Sequence, residues 1–492
     1  MESNFAQDMS KTAGSQGVVF GTGGWRAVIG DGFTRSNIQI LSKAMSIKMK
    51  KEKVDGEGIV IGYDRRFLSK EAVKWACEVF AAEGIRCWFV NRSCPTPLVM
   101  FYVEKHKLHY GMMVTASHNP AIYNGFKVFT YGGRDASEEQ TKEIEGYIRE
   151  VESRGQIRYM EYERAKETGL VVEFNPLNEY LDNIIANINM QAIRERGLHI
   201  VLDPMYGVSQ TSMKTILSTA RCEIDLIHET HDTLFGRRMP APSKNSLTEL
   251  CTYVTEMECD LGIATDGDAD RLGVIDDKGR YLTANDILRL LYYYLLNYKG
   301  WRGPAVRNVA TTHMLDKMAE AFGEICYEVP VGFKYISAKM QETGAIIGGE
   351  SSGGLTVRGH INGKDGIYAA SLLVEMIAVT GKRLSELARE IEERYGKTYM
   401  EERSYRFTAE RKQELMKLLF EDKLLPDLEL PIEKVSYLDG CKVYFKNGGW
   451  IIARFSGTEP LLRIFCEMQD RRSAERLSDK FEEFLSLQGL QE

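Results

Sequence analysis

Short apolar runs alternate with stretches of helical period along the first two thirds of the chain. GIVIGYD (58–64), IRCWFV (85–90) and YGMMVTA (110–116) are rich in apolar and β-branched residues and read as buried strands. After the first of them, Val73, Ala76, Cys77, Phe80 and Ala81 fall on one helical face. Thr96 and Pro97 suit the N-cap and first position of a helix reaching Glu104. Ser137 with Gln140 spells a capping box for the next helix. Strand–helix–strand alternation predicts an α/β section whose sheet is mixed, mostly parallel and covered on both faces.

The alternation recurs twice. LHIVLDP (198–204), CEIDLI (222–227) and DLGIA (260–264) read as strands of a second section. AVRNVA (305–310) and AIIGGE (345–350) belong to a third, closed by the helix DGIYAASLLVEMIAV (365–379). The last section changes type: CKVYFK, WIIARF and LLRIFCEM read as neighbouring antiparallel strands. A helix from Ser473 follows, with Leu477, Phe481, Phe484 and Leu485 on one stripe. The expectation is three α/β domains, 1–160, 161–276 and 277–395, and a C-terminal α+β domain, 396–492, with the charged stretch Glu392 to Glu402 as the linker.

Composition narrows the class. A chain of 492 residues, 43% hydrophobic and 27% charged, is globular and long enough for three or four domains of about 150 residues each. A net charge of −7 gives no support to a nucleic-acid partner, which needs a concentrated positive field. No apolar run approaches the roughly 20 residues that cross a bilayer, and the opening MESNFAQDMSKTAGSQG has no apolar leader core, so no membrane partner is expected. Nine cysteines without a CxxC pair argue against a disulfide framework or zinc ribbon and point to a reducing cytoplasm.

In open α/β sheets, ligands bind beyond the carboxyl ends of strands, and four loops there carry chemistry. Thr115-Ala116-Ser117-His118-Asn119-Pro120 places a hydroxyl where it could attack phosphorus, with His118 or Lys127 as a partner for its proton. Alone, that loop reads more readily as an ordinary turn before proline, with the serine bonding the backbone. Thr265-Asp266-Gly267-Asp268-Ala269-Asp270-Arg271 brings three carboxylates to alternate positions, where they repel unless a hard cation such as Mg²⁺ joins their oxygens. It is not an EF-hand: Arg271 stands where that loop needs Gly, Asp277 where it needs Glu, and a strand precedes it. Gly348 to Gly354 is a glycine-rich turn in which Glu350 and Ser352 can bond sugar hydroxyls. Arg454, Ser456, Gly457 and Thr458, with Arg463 soon after, suit a phosphate cradle. A nucleophile, a cation site, a hydroxyl reader and a phosphate clamp together describe phosphoryl transfer on a phosphorylated sugar.

With TASHNP and DGDADR in place, the chain resembles the α-D-phosphohexomutases (phosphoglucomutases, phosphomannomutases and phosphoglucosamine mutases) from about Phe20 to Glu467. FGTGGWRAVIGDGFT (20–34) is similar to the family's N-terminal segment. The resemblance implies four domains around a central cleft and a phosphoserine at Ser117. It implies Mg²⁺ on Asp266, Asp268, Asp270 and the phosphoserine, with Arg271 contacting the phosphoserine or sugar, Arg26 near the active site and Lys127 matching a family lysine. Lys334 matches a substrate-contacting segment, Glu350 and Ser352 the sugar-hydroxyl pair, and Arg454, Ser456, Gly457 and Thr458 the phosphate loop. Two positions depart: Gly354 and Phe333 stand where some members carry histidine.

The implied activity interconverts hexose 1-phosphate and hexose 6-phosphate, glucose favoured, mannose next and glucosamine below both. A hexose 1,6-bisphosphate serves as intermediate and activator. Sugar phosphates are the expected partners, and a monomer or homodimer the expected state. Three alternatives stand beside it: a glucose 1,6-bisphosphate synthase using the same serine, a sugar phosphatase with Asp266 as nucleophile, and a calcium- or sugar-phosphate-binding regulator without catalysis.

Overall fold

The computed structural model describes residues 17–21, 23–456 and 460–490. In chain order the first domain runs β1 (Phe20–Gly21), β2 (Gly24–Val28), α1 (Arg35–Lys51), β3 (Ile59–Tyr63), α2 (Ser69–Ala82), β4 (Cys87–Val90), α3 (Thr96–Lys105), β5 (Tyr110–Val114), β6 (Tyr123–Thr130), β7 (Arg134–Asp135), α4 (Glu138–Arg154), α5 (Tyr162–Glu167) and β8 (Val171–Phe174). Its strands form one sheet in the order β1-β2-β6-β5-β3-β4-β8, with β7 beside β6. β3, β4, β5 and β8 run parallel; β6 pairs antiparallel with β5 and with β2.

The next elements are α6 (Leu177–Ala186), α7 (Met190–Arg196), β9 (His199–Asp203), α8 (Ser209–Thr219), β10 (Glu223–Leu226), α9 (Thr248–Glu256), β11 (Leu261–Thr265), β12 (Leu272–Ile275) and β13 (Tyr281–Leu282). Their sheet, β10-β9-β11-β12-β13, repeats the plan: β10, β9 and β11 are parallel, and β12 turns back antiparallel on β11. Both sheets are therefore mixed. The Ser117 loop leaves β5 and the aspartate loop leaves β11, and each of these strands has one parallel and one antiparallel neighbour. The two loops occupy the same place in two successive domains.

Beyond them come α10 (Ala284–Asn297), β14 (Ala305–Asn308), α11 (Met314–Ala321), β15 (Cys326–Val329), α12 (Phe333–Thr343) and β16 (Ile347–Gly349), in which β15, β14 and β16 are parallel. Then follow β17 (Leu355–Val357), α13 (Gly366–Thr380), α14 (Leu384–Tyr395), β18 (Tyr399–Arg406), α15 (Ala409–Met416), β19 (Ile432–Ser436), β20 (Cys441–Phe445), β21 (Trp450–Phe455), β22 (Leu461–Met468) and α16 (Arg471–Phe484). The last five strands form the antiparallel sheet β18-β22-β21-β20-β19, against which α16 packs Leu477 and Phe481. The chain divides into two compact units, 17–282 with 354–383, and 283–353 with 384–490.

Three local expectations are corrected and one is extended. The helix DGIYAASLLVEMIAV covers more than the third section: α13 packs on β17 of that section and also on α7, α8, β11 and β12. It is buried from Gly366 to Ile377, as a helix apolar all round requires. Glu392 to Glu402 is not a linker. Its first residues end α14, whose other face buries Leu384, Leu387, Ala388 and Ile391, and its last open β18, leaving 396–398 between. Thr96 is the first helical residue rather than the cap, because its hydroxyl and its N–H both go to Asp268. Helix α16 starts at Arg471, capped by Asp470, which accepts the Ser473 N–H at 2.9 Å. The capping box at Ser137 and Gln140 is present as read. Among the described residues, no helix is long and apolar enough to cross a membrane.

Candidate active site

β5 is buried throughout, and its polar exit loop turns sharply at Ser117, which sits at φ 51°. A non-glycine residue pays strain there, so the surroundings must hold it. They do so through a short chain of bonds. The Ser117 N–H donates to Thr115 Oγ1 (2.8 Å), and Thr115 Oγ1 donates to the buried carboxylate of Asp64 (2.7 Å). Asp64 pairs with Arg66 at 3.3 Å. The Arg66 guanidinium then donates to the carbonyls of Ser117 (2.7 Å), Asn119 (2.6 Å), Pro120 (2.8 Å) and Tyr123 (3.0 Å). Four carbonyls on one planar fork define the turn, a geometry a lysine cannot reproduce.

The aspartate loop meets this turn from β11. Gly267 is needed at the meeting point, since a Cβ there would lie 2.8 Å from the Ser117 carbonyl oxygen. Ser117 Oγ donates to Asp266 Oδ2 at 2.7 Å. Asp266, Asp268 and Asp270 are all buried, and they bring oxygens within 4.8 Å of one another. Lys127, on β6, donates to Asp268 Oδ2 and Asp270 Oδ2 at 2.6 Å each; Thr96 Oγ1 donates to Asp268 Oδ2 at 2.5 Å. Asp268 Oδ1 and Asp270 Oδ1 remain buried without a hydrogen-bond partner. Unpaired buried carboxylate oxygens are costly, and two beside a third carboxylate fit a hard divalent cation.

The titration pattern follows from this packing. Burial and the neighbouring Asp268 and Asp270 push Asp266 well above the usual carboxylate range. Burial also opposes charge on Asp270, but Lys127, Lys364 and Arg271 outweigh it and hold that carboxyl low. Lys127 is likewise buried, and its two aspartates keep it protonated. It neutralises charge and has no free pair with which to take a proton. His118 Nδ1 lies 3.3 Å from Ser117 Oγ. Burial, then Arg271 and Arg26, drive its pKa down to about 2, so the ring is neutral at Ser117.

The other first-unit candidates also converge on this site. Arg26 Nη1 donates to Asn119 Oδ1 at 2.6 Å. The Arg271 N–H donates to Asp266 Oδ1 at 3.0 Å, while its buried Nε has no hydrogen-bond partner. Sequence reasoning missed Asp64, Arg66, Thr96 and Lys364. Lys364 Nζ stands 3.0 Å from Asp270 Oδ2, and its stem explains one departure from the family pattern. A Cβ at Gly354 would lie 2.3 Å from Lys364 Cδ, so the glycine leaves the room through which Lys364 reaches Asp270.

In the second unit, Glu350 Oε1 accepts from Gly332 N (2.9 Å) and Asn308 Nδ2 (3.3 Å), and Ser352 Oγ lies 3.4 Å from Glu350 Oε2. Lys334 lies in the first turn of α12 and stacks over Tyr335. Phe333, the second departure, is a core residue packed with Val306, Ile336 and Met340. Arg454 and Arg463 are directly opposite on β21 and β22. Like charges facing one another across strands are unfavourable without a counter-anion. Ser456 N donates to the Leu461 carbonyl at 2.7 Å, closing the base of the loop. Gly457 and Thr458 lie outside the described residues.

Three α/β domains and a terminal α+β domain, with a serine set against a carboxylate triad, define a phosphotransferase of the sugar-phosphate mutase type. The chain belongs to the phosphoglucomutase/phosphomannomutase family. Models of its α/β/α domains I, II and III match residues 17–155, 178–279 and 283–395, and that of its C-terminal domain matches 407–484. A phosphoglucomutase/phosphomannomutase of Thermococcus kodakarensis is 28% identical over 461 residues, 93% of this chain and 96% of the relative. A protein of Pyrococcus furiosus named as a probable phosphoglucosamine mutase is 31% identical over 466 residues, 94% and 96% of the two chains. In fold, the chain is similar to the crystal structure of a phosphoglucomutase/phosphomannomutase family protein from Burkholderia thailandensis. Its TM-score is 0.80 at 22% identity, covering 94% of this chain and 96% of that one. Members of the family are Mg²⁺-dependent, and this chain is an intramolecular phosphotransferase with an aspartate triad that could hold a metal.

Proposed function

We propose that the enzyme interconverts hexose 1-phosphate and hexose 6-phosphate through a phosphoserine at Ser117 and a hexose 1,6-bisphosphate. The observation that carries the reading is Ser117 Oγ at 2.7 Å from Asp266, beside the two unpaired oxygens of Asp268 and Asp270. Asp266, Asp268 and Asp270, with an oxygen of the phosphoserine, would hold Mg²⁺, which supplies positive charge against the phosphoryl group.

Phosphorylated Ser117 gives its phosphoryl to the free hydroxyl of the sugar phosphate. The bond from Ser117 Oγ to phosphorus breaks as the bond to the sugar oxygen forms, and the proton the sugar hydroxyl gives up balances the one Oγ regains beside Asp266. Arg271 and Lys364 hold positive charge at the same place, where phosphoryl-transfer catalysis chiefly acts. The bisphosphate then turns end for end, and its other phosphate restores phosphoserine. Arg454, Ser456, Gly457, Thr458 and Arg463 serve the phosphate that is not reacting. Glu350, Ser352 and Lys334 serve the sugar.

Glucose and mannose differ at C2, so a pair reading O3 and O4 accepts both. Galactose, inverted at C4, would leave a buried group unpaired at about 1–3 kcal/mol. Glucose phosphate is favoured, with mannose phosphate next. A second reading, glucosamine phosphate, draws support from the name of the Pyrococcus furiosus relative. The nine unpaired cysteines support a cytoplasmic setting, and a monomer or homodimer is the proposed state.

Turnover of the 1-phosphates of glucose, mannose, glucosamine and galactose, each with and without glucose 1,6-bisphosphate, tests the reading. Isomerisation of the first, stimulated by the bisphosphate, is expected. Bisphosphate accumulating stoichiometrically would instead indicate a synthase. Free phosphate released with a phosphoaspartate would indicate the phosphatase.

A further inference from the structure

Within the second unit, one carboxylate joins two substrate loops. Asp439 Oδ2, in the turn before β20, accepts from Arg454 Nε at 2.9 Å and from the Val331 N–H at 2.7 Å. The next amide, Gly332 N–H, goes to Glu350 Oε1 at 2.9 Å. Two successive peptide N–H groups, just ahead of Lys334, are thus held by two carboxylates. One holds the phosphate-loop arginine, and the other is the sugar-loop glutamate.

We propose that Asp439 is a positioning residue that aims Arg454 at the non-reacting phosphate and ties that aim to the sugar-reading loop; this rests on the mutase reading above. Binding Nε fixes the plane of the guanidinium and turns its two terminal nitrogens outward, the pair that suits bidentate recognition of a phosphate. The opposing Arg463 and the half-buried setting raise the cost of leaving Arg454 without a carboxylate. The Val331–Gly332 backbone carries no charge, so its place depends on the two acceptors. Losing Asp439 therefore loosens both the clamp and the segment leading to Lys334.

The test uses the full-length phosphoenzyme with glucose 1-phosphate in a double-mutant cycle of Asp439→Ala and Arg454→Ala. Asp439→Ala is expected to raise KM about tenfold, the loss of one charge-assisted hydrogen bond, with kcat changed far less. Arg454→Ala should raise KM at least as much, and the double variant no further than Arg454→Ala alone. Asp439→Asn, which keeps an acceptor oxygen and the shape, should recover most of the loss. Unchanged KM in Asp439→Ala, or effects that add in the double variant, overturns the proposal. Folding is controlled by thermal unfolding of each variant. If wild type itself neither takes up phosphoryl on Ser117 nor turns over glucose 1-phosphate, it is the mutase reading that fails.

Discussion

Ser117 Oγ and Asp266 Oδ2 lie 2.7 Å apart although 149 residues separate them. The contact exists because β5 and β11 each end a run of parallel strands, and their exit loops meet with only Gly267 between. A serine from one loop and a carboxylate triad from the next thereby form a single buried cluster. Ser117→Ala should lower turnover by at least about 10⁴-fold while the fold persists, as measured by steady-state isomerisation and thermal unfolding. A variant of near-normal rate would remove Ser117 from the mechanism.

The triad carries its own test. Exhaustive chelation should abolish activity and Mg²⁺ restore it. Saturating the site at about 100 times its dissociation constant should stabilise the fold by about 2.7 kcal/mol in denaturant titrations. Asp270→Asn should shift the Mg²⁺ required upward. Full activity after chelation would contradict the assignment of the two unpaired oxygens.

Lys364 and Gly354 are coupled through shape. Lys364→Met should reduce kcat by about 10²–10³-fold, the scale for removing one preorganised positive group. Gly354→Ala places a methyl 2.3 Å from the lysine stem and should lower kcat in the same direction. The double variant should be no worse than Lys364→Met alone. Independent, multiplying effects would show that the glycine does not act through the lysine.

Arg66 should be worth far more to stability than an exposed arginine. Removing it leaves Asp64 buried without its ion-pair partner and takes one donor from each of four carbonyls. Arg66→Met is expected to cost about 3–5 kcal/mol in denaturant unfolding. Arg66→Lys should recover part of that stability but little of the activity.

A pH dependence arises away from the reactive centre. Lys442 is buried, donating to Glu328 (2.7 Å) and the Val309 carbonyl (2.7 Å). Burial, then Arg307, lowers its pKa to about 7 from the ordinary 10.5. Between those values the unfolded chain binds the proton that the folded chain has released. Stability therefore gains with rising pH in that window, and the penalty is full below pH 7. Between about pH 7.5 and 9, wild type should gain up to about 1 kcal/mol per pH unit over Lys442→Met. Equal slopes would place the Lys442 proton outside this range.

Much of this was legible in the chain because the chemistry sits directly after apolar strands. TASHNP and DGDADR are contiguous, and a strand reads as a strand whatever follows it. Arg66, Thr96 and Lys364 were not legible, because each acts on a residue brought near only by the fold: Thr96 meets Asp268 across 172 positions. Their types are common and their local sequence is ordinary. The end of helix α14 reads as a linker because its charged face dominates the composition, while its four buried apolar positions carry the packing. Helix α13 was legible as a buried helix, but nothing in its own residues says which sheet it covers.

The most direct measurement is the intact mass of the purified protein, before and after phosphatase and again after exposure to glucose 1,6-bisphosphate, with the modified peptide sequenced. One phosphoryl group, removable, restored by the bisphosphate and mapped to Ser117, is the predicted result. A chain that never carries phosphoryl under turnover conditions, or carries it on Asp266, would contradict the phosphoserine mechanism.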